Sequence, residues 1–211
     1  MNLAAGQMAR GGPCFKREKN ESGRWIEIGC SALSHSDIEE ARVQVETYLL
    51  AEHDWVPNNG RLPVILYRRA LAPASCEDTA QAFEAVFAQH GWPAQWRDGI
   101  YSYHHYHSTA HEVLGIAAGT ALLMIGGPGG REIEVGAGDA LLLPTGTGHC
   151  SLKNSEDFLV VGGYPEGQRW DICRDAPDDE ARARMATLPF PASDPLEGPG
   201  GTLNDHWKAA L

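Results

Sequence analysis

The chain has 211 residues, 43% hydrophobic and 21% charged, an ordinary balance for a soluble globular protein long enough to bury one substantial core. Its formal net charge of −11 argues against a nucleic-acid-binding face, which needs concentrated basic charge to displace counterions, and against adsorption to anionic membranes. The five cysteines, Cys14, Cys30, Cys76, Cys150 and Cys173, are scattered with no Cys-x-x-Cys pair, which argues against a disulfide framework and a zinc knuckle.

Residues 1–35 mix Gly, Lys, Glu, Asn and Ser with little apolar periodicity and read as a poorly specified extension, with Trp25 and Ile28 as its candidate docking residues. The stretch lacks the apolar core of a signal peptide, and no run in the chain is long enough to span a bilayer, so the expected setting is the reducing cytoplasm. Ser36-Asp37-Ile38-Glu39 fits a capping box and predicts a short helix start. Val43, Val45, Thr47 and Leu49 then alternate at strand period. A loop over 54–60 leads to a strand over 62–67. The clearest helix spans 75–90: Ser75 and Asp78 signal its start, Phe83, Val86 and Phe87 form one face, and His90-Gly91 followed by Trp92-Pro93 stops it.

From Ile100 the pattern changes to short strands separated by glycine turns, and 11 of the 24 glycines lie between Gly99 and Gly148. Strands are predicted over 101–107, 112–117, 120–125, 131–135, 140–143, 150–153 and 158–162, the spacing of an antiparallel sandwich or small barrel. Gly126-Gly127-Pro128-Gly129-Gly130 leads into a strand rather than a helix, so it reads as a hairpin turn and not a phosphate cradle. One weak helix over 178–186 follows, then a Pro-rich extended segment over 188–201 expected to wrap the core. The predicted organisation is an extension over 1–35 and a single domain over 36–211, with its barrel core over 60–165 and its wrap over 166–211.

Five of the nine histidines fall between positions 104 and 149: His104, His105, His107, His111 and His149. In a strand, His105 and His107 project to one face and His104 to the other. Two imidazoles on one face with a carboxylate nearby suit a transition metal. Glu112 is the next acid, and His149 follows a tight turn, Pro144 to Gly148, that returns the chain toward the same place. His104 and His111 are expected at the surface or behind the ligands. Tyr101 and Tyr103 share the parity of His105 and are pocket candidates, and Cys150 reads as buried packing. Arg97, Lys153 and Arg169 read as solvated surface charge.

Gly99-x5-His105-x-His107-x4-Glu112-x6-Gly119 resembles the first cupin motif, and Gly138-x5-Pro144-x-Gly146-x2-His149 the second, with Lys153 where that motif carries Asn and Asn154 one position later. VETYLL, PNNGRLPVILYR, GWPAQWRDGIY, HHYHSTAHEVLG and GGYPEGQRWD resemble the YjlB-like cupins over roughly residues 43–175. The resemblance implies a mainly β, jelly-roll antiparallel barrel with a few short helices in its extensions, and His105, His107, Glu112 and His149 as ligands of one divalent transition metal. It implies a site without naming a substrate. The chemistry expected of it is a metal-dependent enzyme acting on a small oxygenated molecule. Fe(II) and dioxygenase chemistry are favoured, with Mn, Ni or Zn and Lewis-acid isomerisation or decarboxylation as the alternative. A non-catalytic ligand-binding or sensing module is the reading from another class, because fold does not decide function. The expected partners are a small molecule and a second copy of the chain in a homodimer, with no nucleic acid and no membrane.

Overall fold

The computed structural model describes residues 15–19, 25–29 and 43–208, and the chain divides into two units, Met1–Arg42 and Val43–Leu211. In the first, β1 (Phe15–Lys19) pairs antiparallel with β2 (Trp25–Gly29), Phe15 opposite Gly29 and Lys19 opposite Trp25. The sequence predicts no element there, because five-residue runs such as FKREK and WIEIG carry too few apolar positions to show a period. The helix start expected at Ser36 lies outside the described residues.

The second unit holds β3 (Gln44–Tyr48), β4 (Val64–Arg68), α1 (Cys76–Gln89), β5 (Ala94–Asp98), β6 (Glu112–Ala118), β7 (Thr120–Ile125) and β8 (Arg131–Gly136). After them come β9 (Ala140–Leu143), β10 (His149–Asn154), β11 (Leu159–Gly163), α2 (Asp179–Thr187) and α3 (Thr202–Lys208). The strands form two antiparallel sheets, one of six strands in the order β3-β4-β9-β6-β11-β5 and one of three in the order β10-β7-β8. This is the expected mainly β, antiparallel architecture, although the two sheets are not closed into one continuous ladder. Among the described residues no helix is long and apolar enough to cross a membrane.

Two cores explain the sequence of the larger sheet. Val64, Leu66, Leu114, Ile116, Leu141 and Val160 point from it toward Leu123, Ile125, Ile133 and Val135 of the smaller sheet. Ile65, Tyr67, Val113, Leu142 and Val161 point the other way, onto Phe83 and Phe87 of α1 and Leu203 and Trp207 of α3. Strands covered on both faces need no polar alternation, which is why β4 reads VILYR and β9 reads ALLL. The sheet and α1 approach so closely that a Cβ on Gly115 would lie 2.6 Å from the Phe83 ring, so glycine is the residue that fits. By contrast β8 alternates, burying Ile133 and Val135 and exposing Glu132 and Glu134.

The helix ends follow their caps. Ser75 accepts the Asp78 N–H (3.2 Å) at the start of α1, and Asp178 accepts the Ala181 N–H (2.8 Å) at the start of α2. Beyond α2 the chain is held by Asp194, fully buried, whose carboxylate accepts N–H groups of Leu196, Glu197 and Leu203 and the hydroxyl of Tyr67. Four donors around one carboxylate offset its desolvation. They fasten the Pro-rich segment to β4, and α3 then docks with the Trp207 indole donating to the Pro63 carbonyl (2.9 Å).

The structure differs from the sequence reading elsewhere in the second unit as well. The strand predicted over 101–107 is reduced to single bridges at His105 and Tyr106, because those residues pair with His149 and Cys173 rather than with one continuous neighbour. The sequence predicts no element over 94–98; in the five-residue edge strand β5 only Ala94 and Trp96 alternate with polar neighbours, too short a run to show a period. In β10 a bulge follows Ser151: Ser151 faces Leu123, while Lys153 and not Leu152 faces Leu122. The bulge adds one residue to the strand, and this accounts for Asn154 standing one position late in the second motif.

Candidate metal centre

The four motif residues come from three stretches of chain that the backbone ties together. His105 and His149 exchange both N–H···O bonds (3.2 and 2.9 Å), so they are direct cross-strand neighbours. His107 sits two residues beyond His105, and its carbonyl accepts the Gly146 N–H (2.8 Å) and the Thr145 hydroxyl (2.9 Å), which fastens the turn before His149 to the histidine segment. Glu112 opens β6 opposite Leu143 of β9. Buried Asn58 braces the same turn, accepting the Gly148 N–H and donating to the carbonyls of Ala51 and Gly126.

All four side chains are buried, at 6% exposure or less. The ligand atoms of His105, His107 and His149 lie within 4.8 Å of one another, a group that could hold a metal ion. Each ring turns Nδ1 toward a backbone carbonyl: His105 to Tyr103 (3.3 Å), His149 to Thr147 (3.1 Å), and His107 to Asp171. A carbonyl only accepts, so Nδ1 carries a proton and Nε2 is left for a proton or a metal ion. Asp171 is itself fixed, its carboxylate accepting the Ser108 N–H and hydroxyl.

Glu112 closes the cluster. Its Oε1 lies 3.2 Å from His107 Nε2 and its Oε2 3.3 Å from His149 Nε2. Two donors each about 2.1 Å from one ion stand about 3.0 Å apart at an octahedral angle and about 3.4 Å apart at a tetrahedral one, so both separations fit ligands of a common ion. His107 Nε2 and Glu112 Oε2 are buried without a hydrogen-bond partner, the state that a bound cation would relieve. Burial, reinforced by His149 and His107, drops the His105 pKa to about 3 and keeps that ring neutral. Burial also opposes charge on His107 and Glu112, but each raises the stability of the other's ion: His107 is held above its ordinary pKa by Glu112, and Glu112 well below by His107 and His149. The residues present therefore fit a divalent ion in donor type, spacing and charge.

A cavity of about 140 Å³ opens beside the cluster. Of the two tyrosines expected there, Tyr101 lines it, whereas Tyr103 is not among the lining residues. Tyr103 stacks behind Tyr101 (centroids 4.7 Å, 16° between planes) and carries Arg174 over its ring. His104 is half-buried, its Nε2 3.6 Å from Cys150 Sγ, and Cys150 is buried with its thiol pKa pushed up by burial, as expected of packing. Of the two places expected of His111, at the surface or behind the ligands, the surface is excluded: it is 2% exposed, its Nδ1 accepts the Thr145 N–H (3.0 Å) in the turn that leads to His149, and its ring packs on Trp207.

Sequence reasoning missed Tyr164, Trp96 and Trp170. The Tyr164 hydroxyl donates to Glu112 Oε1 and accepts from the Trp96 indole N–H (2.8 Å), and its ring stacks with Trp170 (5.9 Å). GGYPEGQRWD places Tyr164 and Trp170 just after β11, but nothing local marks a tyrosine there as anything other than core.

The chain is 35% identical over 166 residues to the uncharacterized protein YjlB of Bacillus subtilis, covering 78% of this chain and 97% of the relative. No family model matches it. Among solved structures it is distantly similar to acireductone dioxygenase from Bacillus anthracis with a cadmium ion in its active centre (15% identity, 75% of this chain and 96% of that one, TM-score 0.34). A cupin 2 domain-containing protein from Halorhodospira halophila is similar at 11% identity, 82% of this chain and 90% of that one, TM-score 0.27. Procruciferin, an 11S globulin of Brassica napus, is similar at 15% identity and TM-score 0.30, over 63% of this chain and 27% of that much longer one. The identity shared with YjlB runs through nearly the whole of that relative and more than three quarters of this protein, and the chain belongs to the same family as YjlB.

Proposed function

We propose that the protein is a metal-dependent enzyme acting on a small oxygenated molecule, with one divalent ion held by His105, His107, His149 and Glu112. Fe(II) is the metal of choice and dioxygenase chemistry the reaction class. The observation that carries the reading is the arrangement of three Nδ1 atoms against backbone carbonyls, which leaves three Nε2 atoms and one carboxylate for a common ion. A divalent ion held by such a set supplies Lewis acidity with positions left open to a substrate, and iron adds redox chemistry with dioxygen.

The chain's own residues supply the rest. Backbone carbonyls of Tyr103, Thr147 and Asp171 fix the three rings. The Trp96 indole and the Tyr164 hydroxyl form a chain of donors ending on Glu112 Oε1. Burial and the adjacent Glu112 hold the Tyr164 phenol far above its ordinary pKa, so it keeps its proton and remains a donor. Ile100, Leu114 and Ile172 line the cavity with apolar surface, which limits the water that reaches a bound substrate.

Elemental analysis of protein purified without chelator or metal-affinity resin tests the proposal, beside His105→Ala and Glu112→Ala. Near-stoichiometric metal in the wild type, lost in both variants, is the expected result. Iron then leads to dioxygen-uptake assays, and manganese, nickel or zinc to isomerase or decarboxylase assays. A wild type that binds none of these ions when offered them rejects the reading.

A further inference from the structure

We propose, resting on the metal-site reading above, that the substrate carries at most one anionic group, the one that faces the histidines, and that Asp98 in the cavity wall excludes a second. The argument begins with what the wall lacks. No Lys or Arg is among the described residues that line the cavity; apart from the three histidines and Glu112, its one ionisable carboxylate is Asp98. The rest is mainly aromatic and aliphatic, including Trp96, Tyr101, Leu114 and Trp170.

Strand geometry explains this distribution. Trp96 and Asp98 are two apart on β5 and share a face, so Asp98 follows Trp96 to the cavity side. Arg97 lies between them and faces the opposite way, where α1 holds it: its Nε and Nη2 donate to both oxygens of Glu84 (2.6 and 2.8 Å) and its Nη1 to Glu77 (2.9 Å). The bidentate geometry of that pair orients the guanidinium away from the cavity. Arg174 is likewise occupied, its guanidinium 4.2 Å from the centre of the Tyr103 ring, outside the cavity wall. Among the described residues Asp98 accepts only the N–H of its neighbour Gly99, at 2.7 Å, and it is exposed.

The charge balance then restricts the ligand. A divalent ion with one carboxylate ligand leaves a single positive charge to meet one anionic oxygen group of the substrate. A second anionic group, such as a phosphate ester or a distal carboxylate, would meet no cation in the wall and would face Asp98 instead. Like charges opposed across a binding site discriminate strongly between ligands. A planar, uncharged or cationic body is the complement of Tyr101 and Trp170, whose rings stay partly exposed.

The test uses metal-loaded full-length protein and three hydroxamate probes, each of which offers the same chelating group: benzohydroxamate, its 4-carboxy derivative and its 4-aminomethyl derivative. Calorimetric titration is expected to give the 4-carboxy probe at least about tenfold weaker binding than the parent. In Asp98→Asn that ratio falls to about threefold or less, and in the wild type it shrinks as salt is raised, as it must for a partly exposed charge. The 4-aminomethyl probe separates an uncharged-body preference from a cationic one, equal or tighter binding being expected. Equal affinity for the carboxylated and parent probes, or a ratio that Asp98→Asn leaves in place, overturns the inference. Metal content measured on the same samples separates the causes: full loading with no discrimination sinks this inference alone, and failure to load sinks it together with the metal reading.

Discussion

Glu112 receives its hydrogen bond from Tyr164, 52 positions later in the chain, and the contact divides the work of the carboxylate. One oxygen is engaged by a phenol that keeps its proton; the other, Oε2, has no hydrogen-bond partner and faces His149. Tyr164→Phe removes the donor while keeping the ring that packs against Trp170. Partners of this kind are worth about 10- to 100-fold in metal affinity, so the variant is expected to lose that much in competition with a chromophoric chelator. Unchanged affinity would show that the carboxylate is oriented by packing alone. His105, His107, Glu112 and His149 are legible in the sequence because each motif is local and its spacing follows from strand parity and one tight turn. Tyr164 is not legible, since its role is created by a contact distant in sequence and a buried tyrosine is ordinary core. His111 is legible only in part. Parity correctly turns it away from Glu112, but that direction leads to Trp207 of the carboxy-terminal helix rather than to solvent.

At the scale of elements, β11 and β5 are matched through a missing side chain. Gly162 of β11 faces Trp96 of β5, and a Cβ there would lie 2.0 Å from the indole ring. Gly162→Ala must therefore displace Trp96, and overpacking of this kind costs about 1–3 kcal/mol. Because Trp96 donates to Tyr164, the variant is expected to lose metal affinity as well as urea resistance; a lower unfolding midpoint with metal affinity intact would show that Trp96 does not support the site. The strands between Glu112 and Leu143 are legible almost to the residue, since glycine turns bracket short apolar runs, and β7 and β9 lie at their predicted bounds. β5 is hidden because an edge strand with one inward indole has no period to detect. α3 is hidden because seven residues, TLNDHWK, show only two buried apolar anchors, Leu203 and Trp207. The segment 101–107 shows the limit of parity: alternation assigns side chains to faces correctly, yet the backbone pairs only at His105 and Tyr106.

At the scale of the molecule, the six-stranded sheet ends on β3, and what that edge carries argues for a second copy of the chain. Val43 and Val45 are 40% and 39% exposed and Leu49 is 62% exposed. All three fall on one parity, which the strand directs to one side. An edge strand has unpaired N–H and C=O groups, and monomeric proteins protect it with charge, proline or a covering element. Glu46 is engaged by Arg68 (2.9 Å), so the charge on this strand is partly spent within its own sheet. Apolar side chains beside an edge that no described strand pairs with are better buried across a two-fold axis, where one patch meets its own copy. Light scattering coupled to size exclusion is expected to give the mass of two chains, and Val45→Lys, which places a solvated charge on that face, to shift it toward one. The same variant is expected to keep its metal, since β3 supplies no ligand and lines no part of the cavity. Loss of metal together with the dimer would mean that assembly supports the site. A wild-type mass of one chain would rule out a second copy as the cover for the apolar side of β3.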